Sequence, residues 1–175
     1  LAAERKHSLM IEKPLATDLG DSARVLAAIK ASGVDAVVGY TQRFRRRWLA
    51  AKGKVSTGQL GDVTLVSSRA FMNRLVAIDN YKRTDHPEKI SPMVISGTHA
   101  LDIVMWMMEG KTPVEIYARS IDKALGPEWK GIDATSGVIT FSDGTIYQST
   151  ISWALSSPRS SESPGSSPAS ISTPS

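Results

Sequence analysis

Two places in this 175-residue sequence carry side chains that could move a proton or hold a developing charge. The first is Glu12-Lys13-Pro14, which follows the apolar run Ser8 to Ile11. Proline bars Lys13 from helical geometry, so the run reads as a strand feeding a fixed loop. Ligands of open α/β sheets bind beyond the carboxyl ends of the strands, where a lysine so placed can aim its ammonium into a cleft. The plainer alternative is a surface lysine beside a turn proline, since lysines are mostly exposed. The second place is Ser96-Gly97-Thr98-His99-Ala100-Leu101-Asp102. A spacing of three puts His99 and Asp102 on one helix face, with Trp106 one turn further on. Histidine is the usual proton shuttle near neutral pH. A histidine and a carboxylate among Ile, Val, Met and Trp are costly unless paired or used. The alternative to a shuttle is a core imidazole satisfied by Asp102.

A third feature is the arginine run from Arg43 to Arg47, with Phe44 and Trp48. Such a run can bind phosphate or nucleic acid, but it is more often a solvated helix face. No stacking or helix-turn-helix pattern accompanies it, and the formal net charge is only +4, so no nucleic-acid partner is expected. Cysteine is absent, which excludes disulfide scaffolds, thiolate metal sites and cysteine nucleophiles. No histidine–carboxylate cluster has metal-ligand spacing, so no metal is expected. The chain contains no G-x-G-x-x-G, no phosphate-binding P-loop and no G-x-S-x-G elbow. No apolar run approaches a membrane span, and the first residues are too charged for a secretory leader. A cytoplasmic protein without a membrane partner is expected.

The elements that must position these residues follow from local pattern. Asp18 can cap a helix in which Ser22, Val25, Leu26 and Ile29 fall at helical spacing, and Gly33 closes it. Val34 to Tyr40 reads as a second strand, apolar enough to be buried on both faces. Strand, helix, strand in this order is a parallel crossover unit. Gln42 to Ser56 reads as a basic helix, and Asp62 to Met72 as a strand with Val63, Leu65, Ser67, Arg69 and Phe71 on one face. Asn73 to Pro92 reads as a long irregular loop over a substrate, with Arg69, Asn73, Arg74, Tyr81 and Lys82 facing a cleft. Val94 to Glu109 is a buried helix ending at Gly110, and Pro113 to Ile121 is a strand. Ala134 to Phe141 and Thr145 to Trp153 form a hairpin around Asp143-Gly144. From Ser156 to Ser175, ten of twenty residues are serine and four are proline, which predicts a disordered tail. The fold class is α/β, of the α+β kind, with a mainly antiparallel open sheet in its larger part.

Four stretches, in order, resemble the Gfo/Idh/MocA family, the glucose–fructose oxidoreductase and inositol dehydrogenase type. They are Met10-Ile11-Glu12-Lys13-Pro14-Leu15-Ala16, Val38-Gly39-Tyr40-Thr41-Gln42-Arg43-Phe44, Gly58-Gln59-Leu60-Gly61-Asp62, and His99 through Trp106. The resemblance implies residues 1–41 as the carboxy-terminal remnant of a Rossmann domain, 42–155 as an α/β substrate domain, and 156–175 as the tail. It implies an NAD(P)-dependent oxidoreductase acting by hydride transfer on a sugar or polyol. Lys13 matches the family's catalytic lysine, His99 its acid/base and Asp102 an acid that helps hold substrate. Glu12, Lys13, Pro14 and Arg43 match its cofactor-binding side, with NAD or NADP as cofactor. It further implies a homo-oligomer built through the carboxy-terminal sheet. Many members carry an aspartate four residues before the histidine, where this sequence has Ile95. The alternative is a non-enzymatic, degenerate sugar-binding or oligomerisation module.

Without the glycine fingerprint, no helix N-terminus is available to hold a dinucleotide pyrophosphate. The sequence therefore reads as a truncated member of the family. The 175-residue chain alone is expected to show no micromolar NAD or NADP binding by calorimetry, and such binding would overturn this reading.

Overall fold

The computed structural model describes residues 1–155, and the Ser/Pro-rich tail lies outside the described residues. Strand β1 (Leu9–Ile11) pairs in parallel with β2 (Ala36–Val38), Met10 opposite Val37, and helix α1 (Leu19–Ser32) connects them. Asp18 caps α1 by accepting from the Asp21 amide at 2.8 Å, and Gly33 closes it in the left-handed region at φ 64°. The expected burial of Val34 to Tyr40 on both faces is corrected. The strand is shorter than that run, and Val37 is 53% exposed while Met10 is 81% exposed. Two strands make a sheet too narrow to be sandwiched, and no residue of α1 is buried.

The larger unit is a four-stranded sheet in the order β3 (Leu65–Asn73), β6 (Ile146–Leu155), β5 (Ala134–Phe141), β4 (Pro113–Ile121). β5 runs antiparallel to both neighbours, and β3 runs parallel to β6. Alternation along β6 sends Tyr147, Ser149, Ile151 and Trp153 to one buried face. The opposite face stays open and carries Leu65, Phe71, Tyr117, Val138 and Ile146. The hairpin around Asp143-Gly144 closes as its sequence predicts, with Gly144 at φ 87° and the Phe141 amide bonded to the Thr145 carbonyl at 2.9 Å. Lys111 donates to Asp143 and holds its carboxyl down to about 2.

The covering layer comprises α2 (Arg46–Ser56), α3 (Arg74–Lys82) and α4 (Thr98–Met107), while the short α5 (Gly126–Trp129) lies between β4 and β5 in the chain. Three boundaries differ from expectation. The basic helix is interrupted: Thr41–Phe44 forms a 3-10 turn, Arg45 is extended, and α2 starts only at Arg46. Asn73 to Pro92 is not irregular. Asn73 accepts from the Leu75 amide and starts α3, which buries Ala77 and Tyr81 one turn apart. Only these two positions are fully buried, so the apolar period was too thin to read. The helix expected from Val94 opens instead as a wider π-turn, Met93–Gly97, before α4. There a Cβ on Gly97 would sit 2.9 Å from Ile151 Cγ1, so the turn lies against β6 at backbone contact.

Two apolar clusters hold these layers together. One gathers Ala77, Tyr81, Ile90, Leu125 and Trp153, and the other Val104, Met108, Phe141 and Tyr147. Trp153 is 0% exposed, donates to Ser96 Oγ at 2.8 Å and meets Tyr81 edge-on at 6.0 Å. Among the described residues no helix is long and apolar enough to cross a membrane. Trp153→Ala is expected to cost about 3–5 kcal/mol in urea unfolding, through the cavity it leaves. Val37→Ala is expected to stay within about 0.5 kcal/mol of the parent. Equal costs would contradict the assignment of the core to the second sheet.

Candidate active site

The residues singled out by chemistry gather along one side of α4. Lys13 leaves the end of β1, next to a cis Lys13–Pro14 peptide, and its Nζ donates to the Ile95 carbonyl at 2.9 Å. That carbonyl belongs to the π-turn, one turn before His99. Tyr40, just past β2, shares a 3.2 Å hydrogen bond with Thr98. Arg43 grips Asp102 with two bonds, Nε to Oδ2 at 2.8 Å and Nη2 to Oδ1 at 2.6 Å. Lys52 on α2 donates to the Trp106 carbonyl at 2.6 Å, satisfying one of the acceptors left free at the end of α4.

Asp102 therefore does not serve His99 as a hydrogen-bond partner. Its side chain is 8% exposed and both its oxygens face the guanidinium. Arg43, expected beside the cofactor, spends its fork on this carboxylate and lies 5.6 Å from the Trp106 ring. The hydrogen bonds it donates to Asp102 outweigh burial and hold the Arg43 pKa above its ordinary value.

His99 is half-buried, and its Nδ1 is enclosed without a partner. That leaves Nε2 as the ring nitrogen able to meet a ligand. Burial, followed by the charge of Lys13, lowers its pKa below the ordinary 6.5, against smaller raising contributions from Glu12 and Asp102. The shift favours the neutral imidazole, the form competent as a proton acceptor. It opens on a cleft of about 410 Å³ between α4 and β3, lined also by Gln42, Trp48, Ser68, Arg69 and Ser96. Trp48 Nε1 on this cleft is likewise buried and unpaired.

Of the loop residues expected around the cleft, Arg69 lines it. Tyr81 instead packs in the core against Trp153, Asn73 caps α3, and Lys82 lies 5.9 Å from the Trp129 ring. Ile95 turns its side chain into the cluster around Trp153 and presents only its carbonyl to Lys13. Tyr40, Lys52 and Ser68 are not singled out by the sequence. Their partners lie dozens of residues away, a separation that local pattern does not report.

Residues 48–164 match the GFO/IDH/MocA C-terminal domain. The inositol 2-dehydrogenase of Gluconacetobacter diazotrophicus is 33% identical over 119 residues, which are 65% of this chain and 32% of that protein. The aldose-aldose oxidoreductase of Caulobacter crescentus superposes with a TM-score of 0.77 at 22% identity, over 89% of this chain and 46% of the other. The scyllo-inositol dehydrogenase of Lactobacillus casei, solved with bound NAD(H) and scyllo-inositol, superposes with a TM-score of 0.69 at 18% identity, over 84% of this chain and 44% of the other. The chain thus spans about a third of that curated relative and under half of the solved proteins.

Because the folded His99 pKa lies below its ordinary 6.5, protons favour the unfolded chain. This contribution to stability is intact above that value and is lost as pH falls through it toward the folded pKa. His99→Gln removes the effect. The stability of the variant relative to the parent is expected to improve on going from about pH 7.5 to about pH 5.5. A pH-independent difference in urea unfolding would count against a depressed His99 pKa.

Proposed function

This chain belongs to the GFO/IDH/MocA family, and from that premise we propose that it forms part of an oxidoreductase moving a hydride between NAD or NADP and a hydroxyl-bearing carbon of a sugar or polyol. The observation that carries this reading is the approach of Lys13 to the π-turn one helical turn before His99, with the imidazole open to a cleft. The inositol 2-dehydrogenase relative and the neighbour solved with NAD(H) and scyllo-inositol support an inositol or related polyol as the substrate class. Residues 1–41 are the end of the dinucleotide-binding unit in this reading, and residues 42–155 are the substrate domain.

The donor set fits the nicotinamide end of such a cofactor. Glu12, Lys13 and Pro14 leave the carboxyl end of β1, and Gly39 beyond β2 keeps that rim free of a side chain; a Cβ there would meet the Ile11 carbonyl at 3.4 Å. When bound, the nicotinamide supplies the hydride acceptor or donor. His99 Nε2 takes the hydroxyl proton of the substrate during oxidation and returns it during reduction. Lys13, steadied by the Ile95 carbonyl, directs its remaining donors at the same oxygen and stabilises the negative charge that develops there. The open sheet face, with Leu65, Tyr117, Val138 and Ile146 exposed, supports pairing with a second copy.

The test is a chimera joining residues 1–155 behind the portion of the Gluconacetobacter inositol 2-dehydrogenase that precedes its matched region. It is expected to reduce NAD or NADP with inositols or aldoses. Lys13→Ala and His99→Ala are each expected to lower turnover by about 10²-fold or more. Light scattering is expected to show a dimer or larger, weakened by Val138→Glu. A folded, NAD-binding chimera that oxidises none of these compounds, or one indifferent to both alanines, would refute the assignment.

A further inference from the structure

The acid three residues after His99 stands where it could bond either the imidazole or a substrate hydroxyl, yet the structure occupies it otherwise. Both Asp102 oxygens accept from one guanidinium, in the side-by-side geometry that gives such pairs their strength. Arg43 is delivered by the 3-10 turn directly after β2, and the extended Arg45 ends that turn before α2 begins. The guanidinium is further fixed near the Trp106 ring, and Lys52 approaches the same ring at 5.8 Å. We propose that Arg43 is a positioning residue that withholds Asp102 from both His99 and the substrate, leaving the imidazole to work without a carboxylate partner. This deepens the acid/base reading of His99 and rests on it for its catalytic meaning, but the withholding itself is a property of the chain alone.

The charged groups bearing on the imidazole come from each element around it. Glu12 and Lys13 follow β1, Arg45 precedes α2, and Asp102 lies on α4. Only Asp102 combines near-complete burial with a dedicated counter-charge. Removing Arg43 leaves that carboxylate uncompensated on the helix face of His99. An unscreened acid nearby favours the charged imidazole.

The experiment is an NMR pH titration of the three histidines in the 175-residue chain, with His99 assigned by the signal lost in His99→Gln. Arg43→Gln is expected to raise the His99 pKa by about one unit, a tenfold gain in proton affinity. Arg43→Lys keeps the charge and loses the fork, so a smaller rise is expected. The neutral pair Arg43→Gln with Asp102→Asn is expected to return to the parent value. Should Arg43→Gln fail to fold, Arg43→Lys decides. A parent-like His99 pKa in the folded single variants, or a rise that persists in the double variant, would overturn the proposal. None of these readouts requires turnover, so an inactive chimera with the expected titration would reject the dehydrogenase reading while leaving the withholding intact.

Discussion

Four polar side chains from the first third of the chain meet α4 and its preceding turn in the order in which they occur. Lys13 takes the carbonyl of residue 95, Tyr40 the hydroxyl of 98, Arg43 the carboxylate of 102 and Lys52 the carbonyl of 106. Partner spacings of three, four and four residues trace one stripe along a helix. Each contact is modest by itself. Together they set the axial position and rotation of α4 relative to the β1 loop, and bring the ammonium of Lys13 near enough to His99 for its charge to act on the imidazole. The opposite side of the segment is set by packing, through Ser96 on Trp153 and Gly97 on Ile151.

The elements that were legible in the sequence are those whose signals are local. Asp18 and Gly33 bracket α1 because caps act within one turn, and Asp143-Gly144 marks its hairpin because the turn requires a positive φ. The strands β4, β5 and β6 declare themselves by β-branched and aromatic residues. α3 is not legible because only Ala77 and Tyr81 are fully buried, with Ile78 packing partly against the same cluster and Leu75 and Val76 exposed. The burial assigned to β2 failed for the opposite reason: its residues are apolar enough to be enclosed, but enclosure depends on neighbours that composition does not describe.

The site divides along the same line. Lys13, His99 and Asp102 could be named from type and spacing, because a proline after a strand and a three-residue interval on a helix are local facts. The pairing of Asp102 could not. On the sequence, the nearest partner for that acid is His99; in the fold it is Arg43, 59 residues earlier. Arg43 sits inside a run of basic residues that reads as a solvated helix face, and nothing in the run distinguishes it. What separates it is the extended conformation of Arg45, which ends the 3-10 turn and leaves Arg43 on the α4 side while Arg46 and Arg47 begin an exposed helix.

The π-turn at Met93–Gly97 has a consequence for how this site tolerates change. Its carbonyl at residue 95, rather than any side chain, steadies Lys13. A main-chain acceptor survives every substitution that leaves the backbone path intact. The side chain at 95 is thereby released to follow the demands of the Trp153 cluster, and orientation of the lysine and repacking of the interior become independently adjustable at a single position.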